Sequence, residues 1–233
     1  MVTSSDESYK STKLIKQGKA KICTDFEPLA DWILATYGYK PINIIYEKIN
    51  NGRIIPRLEI VFETAVNFYY IKTPFDYDET ITKAIAEKFE EIVSGIGLNK
   101  KQTIFNLFFR RKSKYDVRQM FVVFSEFKQI AKEEANEKIS NVEIRLLMED
   151  LNNNQLWKIV QSFSSVVFFF YEQSQIQQNI DNGFRDLAAA KYFELLKKYD
   201  EFDYFKEDEF SVELDSKENL DKNYDGNFYY YFK

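Results

Sequence analysis

Histidine is absent from this 233-residue chain, and cysteine occurs once. Without imidazole there is no Ser-His or Cys-His pair, no histidine-ligated zinc, and no side chain whose ordinary pKa lies near neutrality. Without a second cysteine there is no disulfide within the chain and no CxxC pair. Cys23 has nothing to activate its thiol and reads as a small buried or half-buried hydrophobe; such cysteine usage fits a reducing cytoplasm. Glycine and proline are scarce, at seven and four residues, which argues against low-complexity linkers. No apolar run approaches the ~18 residues of a spanning helix. Met1–Glu7 lacks the apolar stretch of a secretory signal. The phosphate-cradling patterns GxxxxGK[ST] and strand-following GxGxxG are missing; Gly95-Ile96-Gly97 follows a helical pattern and reads as a cap. No serine sits in GxSxG.

Aromatics fill much of what is left: 22 Phe and 16 Tyr raise the share to 17%, within an ordinary hydrophobic total of 45%. The length suits one large domain or two small ones, and a core able to stand without metal or disulfide. Charge is uneven. The whole chain carries −5, yet residues 200–233 hold eleven acids against four lysines. A field of that sign attracts basic partners and repels nucleic acid.

The pattern predicts an α+β fold: a mostly antiparallel sheet packed by several helices, with an aromatic strand pair at the C-terminus. Residues 1–21, polar and lysine-rich, read as a loose lead-in. Residues 22–233 read as a single compact domain, with possible lobes 22–98 and 99–233. Helices are expected at 24–37, with Thr24-x-x-Glu27 as capping box and Gly38 as stop, at 76–94 capped by Asp76, at 127–139, 173–180 and 184–199. Strands are expected at 42–49 and 55–63 around the Asn51-Gly52 turn, and at 66–72, 103–109, 120–124, 142–148 and 166–171. The tail strands are placed at 210–214 and 227–232. In the second strand Leu58, Ile60 and Phe62 alternate with Arg57, Glu59 and Glu63, which predicts one wet face. Val166–Tyr171 is the most apolar run and is expected to be the central strand. Val122-Val123-Phe124 with Gln129 echoes Val166-Val167-Phe168 with Gln173, a weak hint of duplication.

A histidine-free enzyme would have to work with carboxylates. Glu59 and Glu63 beside Arg57 could hold a metal or flank a glycosidic bond, although a solvated strand face explains them as well. Arg110, Arg111, Lys112, Lys114 and Arg118 lie among aromatics and could grip phosphates, but the run is short and the chain acidic. The stronger interaction signal is Asp200-Glu201-Phe202-Asp203-Tyr204 followed by Glu207-Asp208-Glu209, where carboxylates that steer a basic partner interleave with rings that supply contact area. The expectation is therefore a non-enzymatic binding protein without cofactor or metal. It would be an immunity-type neutraliser of a basic toxin such as a nuclease, contacting its partner through Asp200, Glu201, Asp203, Tyr204, Glu207, Asp208 and Glu209. The alternatives are a carboxylate- and metal-dependent enzyme on phosphate or sugar, and a nucleic-acid-associated accessory protein.

Overall fold

The computed structural model describes residues 3–50, 52, 54–65, 77–98 and 114–233. The strands expected at 66–72 and 103–109, the Asp76 cap and the basic residues Arg110, Arg111 and Lys112 lie outside these. In chain order the elements are α1 (Glu7–Lys16), α2 (Glu27–Tyr37), β1 (Asn43–Asn50), β2 (Ile54–Phe62), α3 (Glu79–Leu98), β3 (Phe121–Glu126), α4 (Phe127–Glu137), α5 (Asn141–Leu151), β4 (Leu156–Ser162), β5 (Ser165–Phe170), α6 (Ser174–Asp181), α7 (Phe184–Tyr199), β6 (Glu213–Ser216), α8 (Lys217–Tyr224) and α9 (Phe228–Tyr231). The fold is α+β. The chain divides into two compact units, Met1–Phe127 and Lys128–Lys233.

Each unit holds a three-stranded sheet, in the orders β1-β2-β3 and β4-β5-β6. In both, the first two strands form an antiparallel hairpin and the third joins in parallel. The sheets are thus mixed rather than mostly antiparallel. A parallel third strand needs a crossover, which α3 supplies in the first unit and α6–α7 in the second. The order α2-β1-β2-α3-β3 is repeated as α5-β4-β5-α7-β6. The repeat pairs β2 with β5 and β3 with β6, whereas the Val-Val-Phe echo would pair β3 with β5. That echo is out of phase with the topology.

The first core sets Ile44, Leu58, Ile60, Phe62, Val122 and Phe124 against Leu29 and Ile33 of α2 and Ile85 and Phe89 of α3. The second sets Ile159, Val166, Phe168 and Phe170 against Ile144 and Leu147 of α5 and Ala188, Tyr192 and Leu196 of α7. The expected central strand at 166–171 is indeed central: Val166 through Phe170 are all buried. Gly38 ends α2 in the left-handed conformation (φ +82°), and Gly183 joins α6 to α7 at φ +79°.

Four expectations are corrected. Residues 142–148 are not a strand but part of α5, whose Ile144, Leu147 and Leu151 recur at helical spacing behind a Ser140/Glu143 capping box. The second tail strand is instead the short helix α9, with Asn227 accepting from the Tyr229 N–H; β6 is the single strand of that tail among the described residues. At α2 the Thr24 cap does not form; Phe26 occupies the cap position. Cys23 is exposed rather than buried. The polar lead-in also contains α1, whose Tyr9 and Thr12 are buried.

Candidate partner-binding surface

Residues 200–209 follow α7, and their acids fall into two groups. Asp200 caps the helix end. Its carboxylate accepts the backbone N–H groups of Tyr204 (2.9 Å) and Phe205 (3.0 Å) and takes Lys197 Nζ at 3.0 Å. Its side chain is only 3% exposed. Asp203 sits at positive φ (+57°) between Lys197 and Lys206, and these ammonium groups hold its carboxyl down at about 2. Both acids pair with lysines of their own unit, Asp200 under cover and Asp203 in the open, its side chain 68% exposed. Tyr204 lies under Lys128 (Nζ to ring centroid 5.8 Å), and Phe205 under Lys132 at 4.5 Å. Glu201 is exposed.

Glu207, Asp208 and Glu209 differ. They form a single 3₁₀ turn, all three exposed. Among the described residues none of the three joins an ion pair. The candidate set is one connected stretch, in which the fold separates the lysine-paired Asp200 and Asp203 from the Glu207–Glu209 turn. Lys197 and Lys206 flank Asp203 in the sequence, but Lys206 stands as near to Glu207, so the sequence alone does not say which acids they take.

Glu59 was expected on a wet face and is instead 1% exposed. The pairing explains this. β2 lies between β1 and β3, and its second face, which carries Asn43, Glu59 and Ser125 by register, lies under α1. There Asn43 Nδ2 donates to Thr12 Oγ1 (3.1 Å), Tyr9 stacks on Phe127 at 5.2 Å, and Lys16 pairs with Glu63 at 2.7 Å. Ser125 Oγ donates to Glu59 Oε1 at 2.7 Å, and Arg57, paired with Glu47, reaches Glu59 Oε2 at 3.4 Å. Burial pushes the Glu59 carboxyl above the usual range, with Ser125 and Arg57 opposing. A substrate could not reach so enclosed a group, so it reads as a buried polar network. Among the described residues no group of three or more Cys, Asp or Glu side chains is placed to hold a metal ion.

The described part of the basic stretch is already neutralised: Lys114 pairs with Asp25 at 2.6 Å and Arg118 with Asp116 at 3.0 Å. No described helix is long and apolar enough to cross a membrane. No protein-family model, curated protein or solved structure matches this chain.

Proposed function

We propose that this chain is a non-enzymatic binding protein, an immunity-type neutraliser of a basic cytoplasmic partner such as a nuclease toxin. The observation that carries the reading is the Glu207-Asp208-Glu209 turn, which faces solvent outside any ion pair among the described residues, while its neighbours Asp200 and Asp203 pair with Lys197 and Lys206. Carboxylates held outward on a turn keep their field for an incoming cation. They accelerate encounter and set register more than they add affinity. The absence of histidine removes the commonest acid–base catalyst, which favours binding over turnover.

The test is association kinetics between the full chain and a basic protein that co-purifies with it. Reversing all three charges (Glu207→Lys, Asp208→Lys, Glu209→Lys) should lower the association rate by about tenfold or more at low salt and flatten its salt dependence. Reversing Asp203 should instead act locally, on its exposed pairs with Lys197 and Lys206, and leave the association rate less affected. Unchanged rate and affinity in the triple variant would remove the turn from the interface.

A further inference from the structure

The β4–β5 hairpin closes with two residues, Phe163 and Ser164, between the paired Ser162 and Ser165. Phe163 has φ +50°, and Ser164 does not share the positive sign. A positive φ at the first loop residue alone is the pattern of a type II′ turn, which selects glycine there. A bulky aromatic in that conformation is a backbone outlier. The strain does not serve the core: Phe163 is 56% exposed.

The turn is nevertheless held firmly. Asn136 of α4, itself buried, donates through Nδ2 to the carbonyls of Phe163 (2.8 Å) and Ser165 (2.9 Å). Its Oδ1 accepts the Tyr192 hydroxyl at 2.7 Å, and its carbonyl accepts Gln161 Nε2. Gln129, two turns earlier on α4, reaches Ser164 Oγ at 3.3 Å. A buried network thus fixes an exposed, strained phenylalanine at the tip of a hairpin. The same helix connects the tip to the acidic turn. Gln129 touches Ser164, while Lys128 and Lys132 cover the Tyr204 and Phe205 rings, and Lys132 senses Glu209.

We infer that Phe163 is a pre-organised anchor which, with the Glu207–Glu209 turn, docks a basic protein carrying an apolar pocket. This rests on the proposed function and adds to it the shape of the partner's surface. Strain at an exposed residue persists when the surroundings impose it, and such outliers cluster at functional sites. A rigid aromatic brings large contact area at little ordering cost, the property of interface hot spots. The acids then govern approach, and the ring governs residence.

The experiment uses the full chain and the basic protein that co-purifies with it, identified and purified first. Phe163→Asn and Phe163→Gly should leave the fold intact and hold or raise the melting temperature by about 2–4 °C, since both residues accept positive φ. Either change should weaken the complex about thirtyfold or more, mainly through faster dissociation. Phe163→Tyr should keep most of the affinity. If the partner binds the Asn and Gly variants as tightly as wild type, the anchor is overturned while the acidic-turn reading stands. If those variants melt well below wild type, the ring is structural and the inference fails. If wild type captures no basic protein at all, both proposals fall together.

Discussion

The two units share a strand order and pack one sheet face against helices, but they finish the other face with different chemistry. In the first unit that face carries Glu59, Arg57, Asn43 and Ser125 beneath the polar helix α1. In the second it carries Val167 and Phe169 beneath Leu220 of α8 and Phe228 and Tyr231 of α9. Trp157 stacks on Phe228 there at 6.2 Å, and Lys158 and Lys217 cap the two rings. One topology therefore tolerates either a satisfied polar layer or an aromatic one. Apolar burial draws stability from area removed from water. A buried carboxylate instead depends on every partner being in place. The strand order does not require both faces to be apolar; it requires only one.

The comparison breaks first at the shared face. Ile60 and Phe168 hold corresponding central positions, both fully buried. Ile60→Ala should cost about 2–5 kcal/mol and Phe168→Ala about 3–5 kcal/mol in urea unfolding. A loss well below 1 kcal/mol at Phe168 would take β5 out of the core. The units can be followed separately, because Trp32 lies in the first and Trp157 in the second. Single-tryptophan variants made with Trp→Phe give each its own fluorescence transition.

At the second face the same chemistry of change should give opposite signs. Phe169→Ala removes a buried ring packed edge-on to Phe228 and Tyr231 and should cost about 3–5 kcal/mol. Glu59→Gln should raise stability at neutral pH, because a neutral amide can still accept from Ser125 without a charge to desolvate. Glu59 is held above its unfolded value, so its contribution is intact below that value and is lost as pH rises through the folded one. The first unit should weaken across that rise in wild type and stay level in the Gln variant. Equal pH profiles for the two proteins would mean that Glu59 is not the desolvated group described.

Much of this architecture was legible beforehand, and the failures have distinct causes. The period of α7 and the apolar run of β5 each point one way, so the core of the second unit could be read directly. α5 offered two periods at once: Val142, Ile144, Leu146 and Met148 alternate, while Ile144, Leu147 and Leu151 recur as on a helix. The Ser140-x-x-Glu143 pair would have decided between them. Glu59 was misplaced because alternation reports polarity, and polarity on a central strand does not mean water; nothing in a lysine-rich N-terminus announces that α1 covers it. Tail aromatics at 228–232 resemble a two-sided strand until Asn227 is seen to cap a turn. The acid-rich segment was visible, but the division between Asp200 and the 207–209 turn depends on where α7 stops. Phe163 carried no signal, since a turn closed by phenylalanine violates the residue preferences by which turns are recognised.

The smallest expected effect sharpens the contrast through pH. Ser140→Ala removes the cap of α5, where Ser140 Oγ accepts the Glu143 N–H at 3.3 Å and Glu143 Oε2 accepts the Ser140 N–H at 2.9 Å. The cost should be about 1 kcal/mol, confined to the Trp157 transition. Glu143 also accepts the Tyr199 hydroxyl at 3.0 Å, so the cap ties α5 to α7. Bonding to Ser140, backbone first, holds its carboxyl below the usual range. Its contribution is therefore present above the unfolded value and lost as pH falls, the reverse of Glu59. Acidification should remove the Glu143 contribution from the second unit while it relieves Glu59 in the first. Each response is read as the difference between wild type and its Gln variant, since Asp25, Asp116 and Asp203, also held low, respond alike in all of them. If both transitions move together in wild type and in both Gln variants, the two carboxyls are not governed by their separate surroundings.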